Sequence, residues 1–362
     1  MRVGIIGAGQ LGQMLGFAGR SLGITCRFLD PADAPPAADA GEVIRRPFDD
    51  AEALAELAAN CDVITYEFEN VPVEALLRIA DRVPVFPPPE ALRNAQDRLD
   101  EKRLFDELQI PLPRYRAVDT LDDLRAAVDS IGLPLVLKTR RFGYDGKGQY
   151  VLKTGKDIDD AWRELGGAAL IAEEWLDFDY EVSAIGVRSP GGESAIYPLT
   201  RNEHAAGILR RSRAPVDAPD LAEKAESYIN ALLARLDYVG VLALELFVVG
   251  DRLLANEFAP RVHYSGHWTI EGAETSQFEN HLRAVTNQPL GPTACRGHAG
   301  MLNLIGSIPE AARQLAVPGC QLHDYGKSPR EGRKLGHITV VADSAAARDR
   351  QLQLLEAVLG KL

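Results

Sequence analysis

Two glutamates lie on opposite sides of a predicted β-hairpin, and their placement indicates a metal site. A turn centred on Asp251 places Glu245 opposite Glu257 on adjacent strands. Two carboxylates that face one another within apolar sequence repel unless a cation lies between them. Mg²⁺ prefers oxygen ligands and usually keeps some from substrate phosphates, so two glutamates and a nucleotide can complete its shell. The alternative is that one glutamate lies on an exposed strand edge, but the apolar flanks favour the metal.

A second group of residues could bind phosphate. A predicted strand ending in Lys138 runs into a loop with glycines at 143, 146 and 148. The backbone N–H groups of such a loop can surround phosphate oxygens, while Lys138 supplies a compact positive charge. The sequence is not a Walker A motif, which would need GxxxxGK[ST] at the start of a helix. A solvated basic hairpin is the alternative, and the two are evenly balanced on this pattern alone.

The third group is GAGQLG at residues 7 to 12, with GxGxxG spacing directly after a strand and Asp30 at the end of the next strand. Taken alone, this pattern is typical of a dinucleotide-binding dehydrogenase. Glycines followed by a helix N-terminus suit any anion, so a ribose phosphate fits as well as a pyrophosphate. A tight turn without a ligand is an equally good interpretation.

Composition limits the classes of partner. A chain of 362 residues predicts two or three packed units, and its net charge of -12 argues against a nucleic-acid partner. The N-terminus lacks the features of a signal peptide and no stretch could span a bilayer, so we expect no membrane association and a cytoplasmic protein. The four cysteines form no CxxC pair, and we expect them to be reduced.

The elements that position these residues fall into three segments. The first predicts a parallel α/β sheet, with strands at Val3 to Ile6, Thr25 to Leu29, Val63 to Tyr66 and Val83 to Phe86. The prolines at 87 to 89 end it. A helix from Asn94 to Leu108 follows, and then an α+β unit with helices between Leu121 and Ile131 and near Ile158 to Leu165. A Gly- and Pro-containing segment after about residue 288 ends in a helix from Ala345 to Leu359.

Six separated motifs, taken in order, resemble the ATP-grasp superfamily and, within it, the N5-carboxyaminoimidazole ribonucleotide synthetases. They are GQLG at 9 to 12, YEFENV at 66 to 71, FGYDGKGQ at 142 to 149, PLTRNEH at 198 to 204, NEFAPRVHYSGHWT at 256 to 269 and GRKLGH at 332 to 337. The resemblance implies a mixed α/β and α+β protein with the ATP-grasp fold. It has an N-terminal parallel α/β (Rossmann-like) domain at 1–88, a two-lobed ATP-grasp domain at 89–288 and a small β-rich C-terminal domain at 289–362. It also makes the glycine pattern a false indication of NAD.

The resemblance also implies roles for individual residues. Those implied to bind ATP are Arg98, Lys138, Gly143, Tyr144, Asp145, Gly146, Lys147, Gly148, Gln149, Glu173, Glu174, Trp175, Leu176, Glu181, His204, Asn256 and Glu257. Those implied to bind the ribonucleotide are Gln10, Leu11, Glu67, Tyr144, Ser265, Lys327, Arg330, Arg333 and Lys334. Glu245 and Glu257 would hold the metal, and the implied catalytic residues are Arg261, His263 and Lys138, the first two at the bicarbonate position. Relatives commonly have Asn where this chain has Tyr264.

The implied activity is ATP-dependent carboxylation of 5-aminoimidazole ribonucleotide with bicarbonate, through carboxyphosphate, with Mg²⁺ (or Mn²⁺) as cofactor. Relatives of this kind are usually homodimers, and we expect the same here. One alternative is another purine-precursor ligase, such as the formate-dependent glycinamide ribonucleotide transformylase, which the GRKLGH and RVHYSGHWT motifs fit less well. A catalytically silent nucleotide-binding regulator is a second alternative. The joint presence of Lys138, Glu245 and Glu257 argues against that alternative.

Overall fold

The computed structural model describes residues 1–143, 147–313 and 319–359. Within these ranges no helix is both long enough and apolar enough to cross a membrane.

The N-terminal segment forms a parallel sheet in the order β3-β2-β1-β4, which confirms the predicted α/β unit. Its elements are β1 (Arg2–Ile6), α1 (Gln10–Ser21), β2 (Thr25–Leu29), a 3-10 helix (Pro36–Asp39), β3 (Glu42–Ile44), α2 (Ala51–Asn60), β4 (Val63–Tyr66) and α3 (Val73–Ala80). The strand predicted from Val83 to Phe86 is wrong, because only Val85 forms an isolated parallel bridge, to Ile64. Prolines at 84 and 87 have no N–H to continue the ladder.

Two helices connect this sheet to the rest of the chain, α4 (Pro89–Gln96) and α5 (Arg98–Glu107). The single helix predicted from Asn94 to Leu108 is therefore wrong. It breaks at Asp97, whose backbone is extended and whose carboxylate accepts a 3.0 Å hydrogen bond from the N–H of Leu99, as an N-cap does. The same carboxylate pairs with Arg140 at 2.8 Å, so it ties α5 to the next unit.

A four-stranded antiparallel sheet in the order β5-β8-β6-β7 follows, with two helices against it. Its elements are β5 (Tyr115–Val118), α6 (Leu121–Ile131), β6 (Leu135–Thr139), β7 (Gln149–Leu152), a 3-10 helix (Gly155–Asp157), α7 (Ile158–Leu165) and β8 (Leu170–Glu174). The predicted bounds of α6 and α7 are confirmed. Thr120 and Asp123 form a capping box at the start of α6, which explains why that helix begins where it does.

The largest sheet within the described residues has nine strands, in the order β14-β13-β9-β11-β12-β15-β17-β16, with β10 paired to β9. Its elements are β9 (Tyr180–Arg188), β10 (Ser194–Ile196), β11 (Thr200–Ala205), β12 (Ile208–Ala214), α8 (Pro219–Arg235), β13 (Gly240–Val249), β14 (Arg252–Ala259), a 3-10 helix (Tyr264–Gly266), α9 (Thr269–Gly272), α10 (Gln277–Val285), β15 (His298–Ile305), α11 (Glu310–Arg313), β16 (Cys320–Asp324), β17 (Lys334–Ala342) and α12 (Ala345–Leu359). Strands β11 and β12 were not predicted. Because β12 pairs with β15, the C-terminal strands extend the central sheet.

Candidate active site

The β13–β14 hairpin confirms the predicted pairing of Glu245 with Glu257. At the turn, Val249 lies opposite Arg252, and an unbroken register would pair Glu245 with Asn256. A bulge shifts the register by one residue and brings Glu257 opposite Glu245 instead. Both carboxylates therefore line the same cavity.

The two carboxylates differ in their surroundings. Glu245 lies 3.2 Å from the Nε2 atom of His263, and burial together with the charge of Glu257 raises the Glu245 pKa to about 7. Burial would also raise the pKa of Glu257, but Arg98, at 3.0 Å, acts in the opposite direction together with the nearby lysines. The net result is a lowered Glu257 pKa. Within the three described ranges no group of three His, Cys, Asp or Glu side chains could hold a metal. Two converging carboxylates nonetheless fit Mg²⁺, which takes its remaining oxygens from phosphates and water.

The cavity has a volume of about 200 Å³. It draws its walls from the N-terminal unit, the connecting helices, the large sheet and the C-terminal strands. Eight of the predicted site residues line it, namely Arg98, Gly143, His204, Glu245, Glu257, Arg261, His263 and Lys334. The structure thus brings residues from five of the six motifs, together with Arg98 and Glu245, to one place.

A row of buried charges connects Lys138 to the hairpin. The Glu173 carboxylate accepts a 3.1 Å hydrogen bond from Lys138 and lies 3.5 Å from Lys102. Lys102 also donates to the backbone oxygen of Asn256. Burial would raise the pKa of Glu173, but Lys102 and Lys138 lower it to about 2. Burial, with the neighbouring cations, lowers the pKa of Lys138. Sequence reasoning missed Lys102; its position one helical turn after Arg98 was the available signal.

Glu101 is a second buried group that was not predicted. Its carboxylate accepts a 2.7 Å hydrogen bond from the N–H of Phe258, and its side chain borders the cavity. Burial raises the pKa of Glu101 to about 8, although Lys102 opposes the shift.

We expect Glu101→Gln to stabilise the protein more at pH 8 than at pH 5. The folded-state pKa of about 8 exceeds the reference value of 4.5, so the folded state binds more protons between these values. The free energy of unfolding therefore falls as pH rises through this window, whereas Gln does not titrate and still accepts from Phe258. Urea unfolding should show a gain about 3 kcal/mol larger at pH 8 than at pH 5. Exposed Glu226→Gln is the control, and a gain equal at both pH values would contradict the assignment.

His204 on β11 and Glu181 on β9 form an ion pair at the edge of the cavity. Burial would lower the pKa of His204, but its hydrogen bond with Glu181 and the charge of Glu245 raise it. The pair brings together two residues that the sequence assigned to the nucleotide.

Arg261 and His263 follow β14 and face the carboxylates. The Arg261 guanidinium lies 2.7 Å from Glu69, a residue of the YEFENV motif that had no assigned role. Burial and the nearby cations Arg261 and Lys334 lower the pKa of His263 well below its usual value, so its imidazole is neutral at pH 7. Its Nδ1 atom lies 2.9 Å from the hydroxyl of Ser265, which is fully buried. Ser265 therefore orients His263.

Three of the residues predicted to bind the ribonucleotide, Gln10, Lys327 and Lys334, are connected through Tyr264. Lys327 donates a 2.9 Å hydrogen bond to Gln10, and Gln10 donates to the hydroxyl of Tyr264. Lys334 lies 4.3 Å from the centroid of the Tyr264 ring. Burial, with Arg333 and the other nearby cations, lowers the pKa of Lys327 to about 8.

Carboxylates of the chain itself occupy the N-terminal glycine loop. The N–H of Gly9 donates to Glu67 at 2.6 Å, and the N–H of Ala8 donates to Asp30 at 2.8 Å. Gly7 has a φ of +103°, and a Cβ there would lie 2.8 Å from the Glu67 carboxylate. Burial raises the pKa of Glu67 to about 7. These contacts do not suit a pyrophosphate, as expected if the motif is not an NAD site.

Other predicted residues lie farther from the cavity or outside the described residues. Tyr144, Asp145 and Gly146 lie outside them. Leu11 packs in the core, and Glu174 pairs with Arg114 at the surface. Arg333 donates a hydrogen bond to Ser328. The side chains of Arg330 and Lys147 are exposed, and Gly148 and Gln149 pair with β6. Trp175 and Leu176 follow β8, and the Trp175 side chain is exposed.

Family comparisons agree with this arrangement. Residues 1–96 match the ribonucleotide synthetase preATP-grasp domain. Residues 103–278 match the ATP-grasp domain, and residues 299–351 match the phosphoribosylaminoimidazole carboxylase C-terminal domain.

Whole-chain relatives extend the match. A Pseudomonas aeruginosa N5-carboxyaminoimidazole ribonucleotide synthase is 50% identical, with 99% of each chain covered. The N5-carboxyaminoimidazole ribonucleotide synthetase structure from Thermus thermophilus has a TM-score of 0.95 at 50% identity, covering 99% of each chain. The Aspergillus clavatus synthase in complex with ADP and 5-aminoimidazole ribonucleotide has a TM-score of 0.92 at 32% identity, covering 100% of this chain and 99% of that one. The chain therefore belongs to the ATP-grasp superfamily and, within it, to the N5-carboxyaminoimidazole ribonucleotide synthetase family.

Proposed function

We propose that the protein joins bicarbonate to 5-aminoimidazole ribonucleotide at the expense of ATP, forming N5-carboxyaminoimidazole ribonucleotide, ADP and phosphate in purine synthesis. The observation that carries this proposal is one cavity lined by Arg98, the facing carboxylates Glu245 and Glu257, and the partly buried Arg261 and His263. The A. clavatus relative, whose complex contains ADP and the aminoimidazole ribonucleotide, supports the choice of substrates.

The first step is an in-line attack of a bicarbonate oxygen on the γ-phosphorus of ATP. A new P–O bond forms, the bond to the bridging oxygen breaks, and ADP leaves with the electron pair, giving carboxyphosphate. Such transfers need positioning and charge neutralisation more than a protein nucleophile. Arg98 and Lys138 supply positive charge, and Glu245 with Glu257 would hold Mg²⁺ (or Mn²⁺). When bound, the ion supplies further neutralisation of phosphate charge.

We assign bicarbonate to Arg261 and His263. The planar guanidinium of Arg261 presents paired N–H donors that match two carboxylate-type oxygens. Glu69 fixes the direction of this guanidinium through their 2.7 Å contact. The neutral His263 adds no second positive charge beside it, and Ser265 sets the orientation of its ring.

The second step joins the carboxyl group to the ribonucleotide. The 5-amino nitrogen attacks the carbon of carboxyphosphate, or of carbon dioxide released from it; phosphate leaves and the nitrogen loses a proton. We assign the ribonucleotide to the group formed by Gln10, Glu67, Lys327 and Lys334, with Arg330 and Arg333 as further candidates for its phosphate. Lys334 lines the same cavity as Arg261 and His263, so this assignment puts the ribonucleotide beside the bicarbonate residues.

We expect Lys334→Ala to raise the KM for the ribonucleotide about tenfold while leaving the KM for ATP near its parent value. An ammonium that contacts a phosphate contributes similarly in the ground and transition states, so its loss acts mainly on KM. Steady-state phosphate release with each substrate varied in turn gives both constants. Arg350→Ala, at an exposed position on α12, is the matched control for the loss of one cation. An effect confined to ATP would contradict the assignment.

The decisive experiment measures phosphate release from ATP and Mg²⁺ with bicarbonate, with and without the aminoimidazole ribonucleotide. We expect release that requires bicarbonate and increases with the ribonucleotide. Dependence on formate and glycinamide ribonucleotide would instead support a transformylase, and no release under any condition would support a silent nucleotide-binding protein. The homodimer and the domain bounds at residues 88 and 288 are predictions from the family resemblance, and the cytoplasmic location is a prediction from the composition of the sequence.

A further inference from the structure

Two side-chain contacts connect Tyr264 to the predicted ribonucleotide-binding residues. Its hydroxyl accepts a hydrogen bond from the Gln10 amide, and its ring carries the Lys334 ammonium 4.3 Å from the centroid. The side-chain carbonyl oxygen of Gln10 in turn accepts a 2.9 Å hydrogen bond from the Lys327 ammonium. Tyr264 thus contacts the Lys334 ammonium directly and is linked to the Lys327 ammonium through Gln10.

The Tyr264 ring itself is held in a defined orientation. Its centroid lies 5.0 Å from that of His267 and 6.2 Å from that of His263, in an edge arrangement of 77° with the latter. The backbone oxygen of Tyr264 accepts from the N–H of His267 within the short 3-10 helix Tyr264–Gly266. His267 is fully buried, so the base of the ring cannot shift freely. A ring fixed in this way can hold a cation at one place.

From these contacts we propose that Tyr264 is a positioning residue. Its ring sets the position of the Lys334 ammonium, and its hydroxyl sets that of the Lys327 ammonium through Gln10. The two ammonium groups together select the phosphate monoester of the ribonucleotide. This inference rests on the proposed function. A lysine is a flexible point charge, and holding two of them at a set spacing before the ligand arrives lowers the ordering cost of binding.

The test uses two variants of the full-length enzyme, Tyr264→Phe and Tyr264→Leu. Phe keeps the ring and removes only the bond to Gln10, so the KM for the ribonucleotide should rise about threefold. Leu removes the ring as well, and the KM should rise about tenfold or more. Both variants should keep the parent KM for ATP and a kcat within about twofold of the parent, because a positioning residue for the phosphate acts on binding. The preference for the ribonucleotide over its nucleoside should fall in the same order.

A double-mutant comparison separates positioning from general damage to the site. On a Lys334→Ala background, Tyr264→Leu should raise the KM by clearly less than it does alone, because the ring no longer has that ammonium to hold. If Leu prevents folding, Tyr264→Met replaces it as the variant without a ring. An unchanged KM for the ribonucleotide, or an equal rise in the KM for ATP, overturns the inference. Failure of the parent enzyme to respond to the ribonucleotide would instead refute the proposed function.

Discussion

Glu257→Gln is expected to lower kcat by two to three orders of magnitude while the protein remains folded. The substitution keeps the size of the side chain but removes the charge that faces Glu245 across the hairpin. Preorganised charge at a phosphoryl-transfer site is worth about this factor. The measurement is phosphate release at saturating ATP and bicarbonate, with the fold checked by thermal unfolding.

Metal binding gives an independent readout for the same variant. We expect Mn²⁺ titrated in the presence of ADP to bind the parent protein and to bind Glu257→Gln more weakly, because one of two carboxylate ligands is lost. Glu193→Gln, in the exposed turn between β9 and β10, is the matched control and should change neither turnover nor Mn²⁺ affinity. A near-parent kcat for Glu257→Gln would refute the metal assignment and, with it, the proposed use of the hairpin.

Lys102→Met should lower the free energy of unfolding by about 3 kcal/mol. The Lys102 side chain is 1% exposed and lies between Glu173 and the backbone oxygen of Asn256. Its removal leaves the buried Glu173 in contact with Lys138 alone, so the carboxylate loses the cation that lowers its pKa most. Methionine fills a similar volume, which limits any cavity effect. Urea unfolding at pH 7 measures the change.

The neighbouring Arg103 provides a control on the same helix. Its side chain is 64% exposed and lies 3.4 Å from Asp100, so Arg103→Met should cost below about 0.5 kcal/mol. We also expect Lys102→Met to raise the KM for ATP, because Lys138 then becomes the main counter-ion of Glu173 and is held back from phosphate. Equal stability of the two variants would show that the buried row of charges is not a structural element of the site.

Local pattern predicted much of the secondary structure. The bounds of α6, α7 and α12 agree with the periodicity of the sequence because each helix buries one apolar face along a continuous segment. The pairing of Glu245 with Glu257 was also predicted, but from a turn centred on Asp251. The observed turn alone would place Asn256 opposite Glu245, and the bulge shifts the register so that Glu257 lies there instead. A bulge depends on packing against neighbouring strands, so spacing alone does not reveal it.

Strands β11 and β12 were missed for one reason. Strands β11 and β12 contain many charged residues, such as Arg211 and Arg213, which pair with Glu203 and with Glu356 and Asp349 of α12. Their strand character comes from partners on both sides of the sheet, since β9 and β15 flank them. Intrinsic β-propensity was therefore a weak guide.

The sequence by itself determined the family, the order of the α/β and α+β units, and the identity of eight residues that line the cavity, because short motifs carry their chemistry in residue type and spacing. Only the tertiary structure decided how those residues are paired. Lys327 meets Gln10 across 317 positions and Lys102 lies against Glu173 of another unit. Whether such charges attract, shift each other's pKa or stay apart depends on burial and on distances of a few ångströms, and these quantities exist only once distant segments have packed together.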